Sequence, residues 1–113
     1  MDLIERLRKS RQSKVSAGPF KFTIRRPTDI EAQTMQFTSH KEAIMCVMGF
    51  VIGWKGVKES DLVDGGLDEP VPFTPELFQE WVQDRADLWE ELINGVLAAY
   101  EKHAEDLASE GKR

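Results

Sequence analysis

The chain is poor in the residue types on which most metal and nucleophile sites depend. Its 113 residues include one cysteine and two histidines. A lone Cys46 excludes an internal disulfide framework and suits a reducing compartment. The only histidines are His40 and His103, so the chain lacks the clusters of Cys and His that usually hold zinc. We therefore expect neither a metal nor another cofactor.

Long apolar stretches are also missing. The longest runs from Ala43 to Trp54, twelve residues with its two glycines counted, whereas a membrane span needs roughly twenty. The N-terminal segment is charged and lacks an apolar core followed by small residues, so no secretory signal is predicted. These absences predict a cytoplasmic protein that makes no membrane contact.

Catalytic motifs are absent as well. The sequence contains no phosphate-binding loop, dinucleotide fingerprint or nucleophile elbow. A group of carboxylates falls where the outer face of an amphipathic helix is expected, namely Asp84, Asp87, Glu90 and Glu91. A general acid and base would need burial and convergence, which this pattern does not suggest. We expect no enzymatic activity.

Charge is plentiful but unevenly distributed. Residues 1–26 carry eight Lys or Arg and two Asp or Glu, whereas residues 58–113 carry five and fifteen. Such a basic head on an acidic body can bind nucleic acid, can attract further copies head-to-tail, or can simply be solvated at both ends. The acidic body, and the lack of aromatic residues in the head before Phe20, argue against nucleic acid.

Alternating hydrophobicity predicts one β-strand, Phe20–Arg26. Because a strand cannot stand alone, it must pair with Val15–Ala17, with Glu69–Phe73, or with the same strand of a second copy. Before it, Asp2–Arg11 predicts a short helix with Asp2 as N-cap. The small polar residues of Gln12–Pro19 predict a flexible connector.

Helical signals dominate the rest of the chain. Capping boxes beginning at Thr28 and Ser39 predict two helix starts. The second helix, from His40 to about Gly53, is apolar nearly all round, which predicts the central helix of the core. Thr74 followed by proline opens another helix, and apolar residues at helical spacing from Leu88 to Tyr100 mark the last.

These elements predict a mainly α fold. We expect four to five helices around one central apolar helix, with a short N-terminal β-strand or hairpin as a minor element. The predicted organisation is a basic helix and flexible connector at residues 1–19, a single helical domain at residues 20–108 and a frayed tail at residues 109–113.

A long irregular loop, Lys58–Phe73, separates the central helix from the next one. Loops of this length are functional or mobile, and tryptophan is enriched at binding hot spots. Candidate protein-binding residues therefore flank the two ends of the loop, and they are Trp54, Gly56, Val57, Pro72 and Phe73. The alternative is that the end of the loop, including Phe73, packs onto the core and makes no contact with a partner.

Three segments carry a resemblance to a known family. They are FKFTIRRPTDIE at Phe20–Glu31, GWKGV at Gly53–Val57 and PVPFTPELF at Pro70–Phe78. In order and spacing they resemble the small tail assembly chaperones of long-tailed bacteriophages and prophages, across most of residues 20–100. The basic head, residues 1–19, has no counterpart in this pattern.

The resemblance implies a protein without enzymatic activity in the cytoplasm of a bacterial host. Such chaperones coat the helical tape-measure protein before the tail tube polymerises around it, and they self-associate. Many are also made in a longer form by ribosomal frameshifting. The alternatives are another small tail or morphogenesis protein that acts as a structural adaptor, and a nucleic-acid-binding regulator that uses the basic head.

Overall fold

The computed structural model describes residues 2–111. In this part of the chain, six helices accompany a three-stranded antiparallel sheet. The helices are α1 (Leu3–Lys9), α2 (Asp29–Thr34), α3 (His40–Met48), α4 (Glu59–Leu62), α5 (Pro75–Val82) and α6 (Ala86–Gly111). The strands are β1 (Gln12–Ala17), β2 (Phe20–Arg25) and β3 (Val51–Lys55), in the order β1-β2-β3 across the sheet.

The predicted strand is confirmed as β2, and its partner is the first of the three alternatives. β1 and β2 form a hairpin in which Ala17 pairs with Phe20. Gly18 begins the two-residue turn with φ +57°, a value that favours glycine and suits tight hairpins. The prediction of a flexible connector over Gln12–Pro19 is therefore wrong, because the backbone of this small, polar segment is fixed by a neighbouring strand.

The prediction of a central apolar helix reaching about Gly53 is also wrong. Helix α3 ends at Met48 with Gly49 as its C-cap, and Val51–Lys55 pairs antiparallel with β2. The β-branched residues Val51 and Ile52 suit a strand. An apolar run without a clear period fits a buried helix and a buried strand equally well, so the sequence pattern did not separate the two.

The core lies between one face of the sheet and the helices α3, α5 and α6. Phe22 and Ile24 of β2 and Phe78 of α5 are fully buried there. Helix α6 approaches β1 closely at Gly95, where a Cβ atom would stand 2.5 Å from Val15 Cγ2. The fold is thus a two-layer α+β arrangement, which corrects the mainly α prediction, and the buried centre is the sheet face rather than one helix.

The N-termini of the helices were predicted more reliably than the ends of the helices and of the loop. Asp2, Thr28, Ser39 and Thr74 cap α1, α2, α3 and α5 as expected. The loop Lys58–Phe73 is less irregular than predicted, because it contains α4 and a bridge between Lys58 and Pro70. Helix α6 continues to Gly111, so the first residues of the predicted frayed tail, 109–111, are helical. Residues 112 and 113 lie outside the described residues.

The two surfaces of the sheet differ. The face opposite the core carries Lys14, Lys21 and Lys55, all exposed, one from each strand. No helix within residues 2–111 is long and apolar enough to cross a membrane.

Candidate protein-binding site

The five candidate binding residues lie where β3 ends and where the loop returns to α5. Val57 is buried, Trp54 and Phe73 are half-buried, and Gly56 and Pro72 are exposed. Gly56 has φ +83°, which makes glycine the favoured residue at this bend. The structure therefore places all five in one region, but their exposure differs widely.

Hydrogen bonds fasten the loop to the end of β3. The indole N–H of Trp54 donates to the carbonyl oxygen of Val71 at 2.7 Å. The backbone N–H of Val71 donates to the carbonyl oxygen of Val57 at 3.0 Å. Val71 thus bonds to residues on both sides of the bend at Gly56. The only side-chain donor of Trp54 is occupied by this hydrogen bond within the chain.

Contacts between aromatic rings connect the loop and the end of β3 to the core. The ring of Trp54 meets that of Phe73 edge-on at a centroid distance of 5.2 Å and that of Trp81 at 5.7 Å. The ring of Phe78 lies 5.7 Å from that of Phe73 in a tilted arrangement, and it meets the ring of Phe22 edge-on at 5.8 Å. Edge-to-face pairs at these distances are favourable beyond the area they bury. These contacts favour the alternative in which the end of the loop packs onto the core. A role of the five residues in binding stays a prediction.

The strand end that follows Phe22 is held by an ion pair. Arg25 donates to both carboxylate oxygens of Glu31, at 2.8 and 2.9 Å. Glu31 also accepts from the backbone N–H of Thr28 and so completes a capping box. The hydrogen bonds from Arg25 are the main reason that the pKa of Glu31 falls to about 2. The pair joins β2 to α2, so its role is structural.

The segments that resemble tail assembly chaperones thus meet in space. Phe22 comes from the first segment, Trp54 from the second, and Phe73 and Phe78 from the third. Each of these residues depends on the others for packing. Together they define the fold more than they define an exposed surface.

An unpartnered apolar stripe lies instead on α1. Leu3, Ile4 and Leu7 occupy one side of this helix and are 77%, 62% and 58% exposed. Basic residues share the same short segment, namely Arg6, Arg8, Lys9 and Arg11. The sequence predicted this helix, but only the structure shows that the fold leaves its apolar stripe uncovered. Apolar side chains that cluster in solvent commonly mark a contact surface.

The histidines and the cysteine lie apart from one another. His103 is half-buried, and its Nε2 lies 3.1 Å from Asp29 Oδ1. Tyr100 donates to the same oxygen at 3.0 Å, and this hydrogen bond raises the pKa of Tyr100. Cys46 is half-buried on α3. Within residues 2–111, no three His, Cys, Asp or Glu side chains are grouped to hold a metal ion.

Comparisons with protein-family models, with curated proteins and with solved structures find no match for the chain. The chemistry of the surface therefore carries the functional argument. The described residues offer an apolar helix face at the N-terminus and a basic sheet face. The acidic side chains lie mainly on α5, α6 and the loop before them.

Proposed function

We propose that the protein is a non-catalytic binding protein that shields an amphipathic helix of a tape-measure protein during phage tail assembly, in the cytoplasm of the bacterial host. The observation that carries this proposal is the exposed apolar stripe of Leu3, Ile4 and Leu7 on α1. The resemblance to tail assembly chaperones, across most of residues 20–100, supports the identity of the partner.

The energetics of α1 suit reversible shielding. Complete burial of an aliphatic side chain gains about 1.5 to 3 kcal/mol. Since these three side chains are mostly exposed in the free protein, most of that gain is still available to a partner. The surrounding Arg6, Arg8 and Lys9 favour a partner helix that has carboxylates beside its apolar face.

Co-expression tests the proposal. The tape-measure protein encoded near this chain should become more soluble, and the two proteins should purify together. Replacing Leu3, Ile4 and Leu7 with serine should abolish the complex without unfolding the protein. The matched control replaces three exposed apolar residues elsewhere with serine, namely Val63, Leu67 and Leu97, which are 56%, 58% and 49% exposed. This control should keep the complex.

The result would count against a chaperone if the wild-type protein gave no complex and no gain in solubility. Presence of the chain in purified virions would favour the structural adaptor. Self-association belongs to the proposal, and sedimentation at increasing protein concentration would detect it as a rising mass.

The sheet face gives a specific reason to retain the nucleic-acid hypothesis. Lys14, Lys21 and Lys55 stand together on an exposed surface, and Lys14 Nζ donates to Thr23 Oγ1 at 2.7 Å. Phosphate contacts by such lysines would give an affinity for DNA that falls steeply with salt. Binding of that kind by wild-type protein, reduced by Lys21→Glu, would favour the regulator over the chaperone.

A further inference from the structure

A cleft of about 660 Å³ opens between β1 and the second half of α6. Its strand side is formed by residues 10–15, and its helix side includes Ala98, Lys102 and Asp106. Small residues on the helix leave room there, whereas at Gly95 the helix touches the strand. The volume lies in the range of ligand-binding clefts.

The strand side of the cleft is the β1 edge of the sheet. Arg26 N donates to Arg11 O at 2.9 Å, so these two residues form a hydrogen-bonded pair. Because hydrogen-bonded and non-bonded pairs alternate in an antiparallel ladder, Gln12 and Lys14 direct their backbone N–H and C=O groups away from β2. Among the described residues, these four groups have no partner.

The charge around the cleft is positive. Four Lys or Arg residues line it, namely Arg11, Lys14, Arg26 and Lys102. The one carboxylate in the lining, Asp106, already accepts from Lys102 Nζ at 3.2 Å. An extended ligand with negative side chains therefore matches both the backbone pattern of the edge and the charge beside it.

We propose that this cleft binds an extended acidic peptide segment of a partner protein as a fourth strand along β1. Backbone hydrogen bonds to Gln12 and Lys14 give affinity, and the basic lining selects carboxylate side chains. The edge of a second copy is disfavoured, because it would bring Lys14 and Arg11 against their own charge. The lining among the described residues contains no Phe, Tyr or Trp on which a base would stack, which favours a peptide over nucleic acid. This surface is separate from the apolar stripe of α1, so the two proposals stand or fall independently.

A peptide of about seven residues that alternates glutamate and valine is the probe, since that length spans the free edge of β1. Hydrogen exchange followed by NMR reports the pairing. In the free protein, the amides of Ser13 and Val15 should be protected and those of Gln12 and Lys14 should exchange fast. Saturation with the peptide should protect Gln12 and Lys14.

Two controls separate strand pairing from charge attraction. The same peptide with alternate backbone nitrogens methylated keeps its charge but cannot pair along one edge, so its affinity should fall about tenfold or more. Ala98→Trp fills the cleft from an exposed position and should lower the affinity for the unmodified peptide to a similar extent. Ala104→Trp, also exposed on α6 but outside the cleft, should bind the peptide like wild type.

Several results would overturn the proposal. These are no measurable binding of the peptide, equal binding of the methylated peptide, or binding without protection of Gln12 and Lys14. Protection of these amides that grows with protein concentration alone would show that a second copy occupies the edge. Tighter binding of a single-stranded oligonucleotide of equal charge, lost in Ala98→Trp, would make the cleft a nucleic-acid site.

Discussion

Truncation of Phe73 to alanine distinguishes a loop anchor from a binding residue. The ring of Phe73 contacts Trp54 and Phe78 at centroid distances of 5.2 and 5.7 Å. Removing a fully buried phenylalanine costs about 3 to 5 kcal/mol. Because Phe73 is only half-buried, we expect the free energy of unfolding to fall by about 2 kcal/mol, which includes the lost edge-to-face contact with Trp54.

Urea unfolding followed by circular dichroism measures this change, and thermal unfolding should shift by roughly 8 °C. Leu67→Ala is the control in the same loop. Leu67 is 58% exposed, so its truncation should change stability by less than about 0.5 kcal/mol. A Phe73→Ala protein that is as stable as wild type but no longer binds the tape-measure protein would refute the anchor and restore Phe73 as an interface residue.

Three further predictions concern local features. The lowered pKa of Glu31 means that its pairing with Arg25 stabilises the fold above pH 4.5, and this contribution is lost as the pH falls towards 2. Because both side chains are 35% exposed and screened by solvent, urea unfolding should show Glu31→Gln to be about 1 to 2 kcal/mol less stable at pH 6 and equal to wild type near pH 2. Gly95→Ala should destabilise the protein by about 1 kcal/mol despite alanine's better helix propensity, because of the clash with Val15; equal penalties in wild-type and Val15→Ala backgrounds would contradict this reason. Gly56→Ala should lower the free energy of unfolding by about 1 to 2 kcal/mol through its positive φ alone, since the space around it is open; an unchanged urea midpoint would contradict that.

Elements with local signals were predicted well. Strand β2 shows strict alternation, and the helix starts at Thr28 and Thr74 carry side chains that cap the next turn. Such signals depend on residues a few positions apart. They remain readable without knowledge of the tertiary fold.

Strands without a strong pattern of their own were predicted only in part or were missed. β1 was anticipated only as Val15–Ala17, one of three possible partners of β2, and its full extent depends on pairing with β2. β3 lies in an apolar run, and its partner strand lies some thirty residues earlier. Missing β3 hid the basic sheet face, which takes one lysine from each strand. The prediction of a flexible connector at Gln12–Pro19 hid the cleft between β1 and α6.

The binding role of the candidate residues stays a prediction. The sequence placed Trp54 and Phe73 near the two ends of the loop, and the structure shows that their rings are in contact. The sequence could not show that the donor of Trp54 is bonded to Val71 within the chain. The uncovered state of α1 also depended on the tertiary structure, since an amphipathic pattern more often indicates packing on the protein's own core.

Hydrogen exchange on the proposed complex with the tape-measure protein distinguishes binding through α1 from binding through the loop. Binding should slow exchange in α1, residues 3–9, where the apolar stripe becomes covered. Exchange should change little at residues 54–57 and 71–73, which are already anchored in the free protein. New protection confined to the loop and β3, with α1 still exchanging freely, would contradict binding through α1.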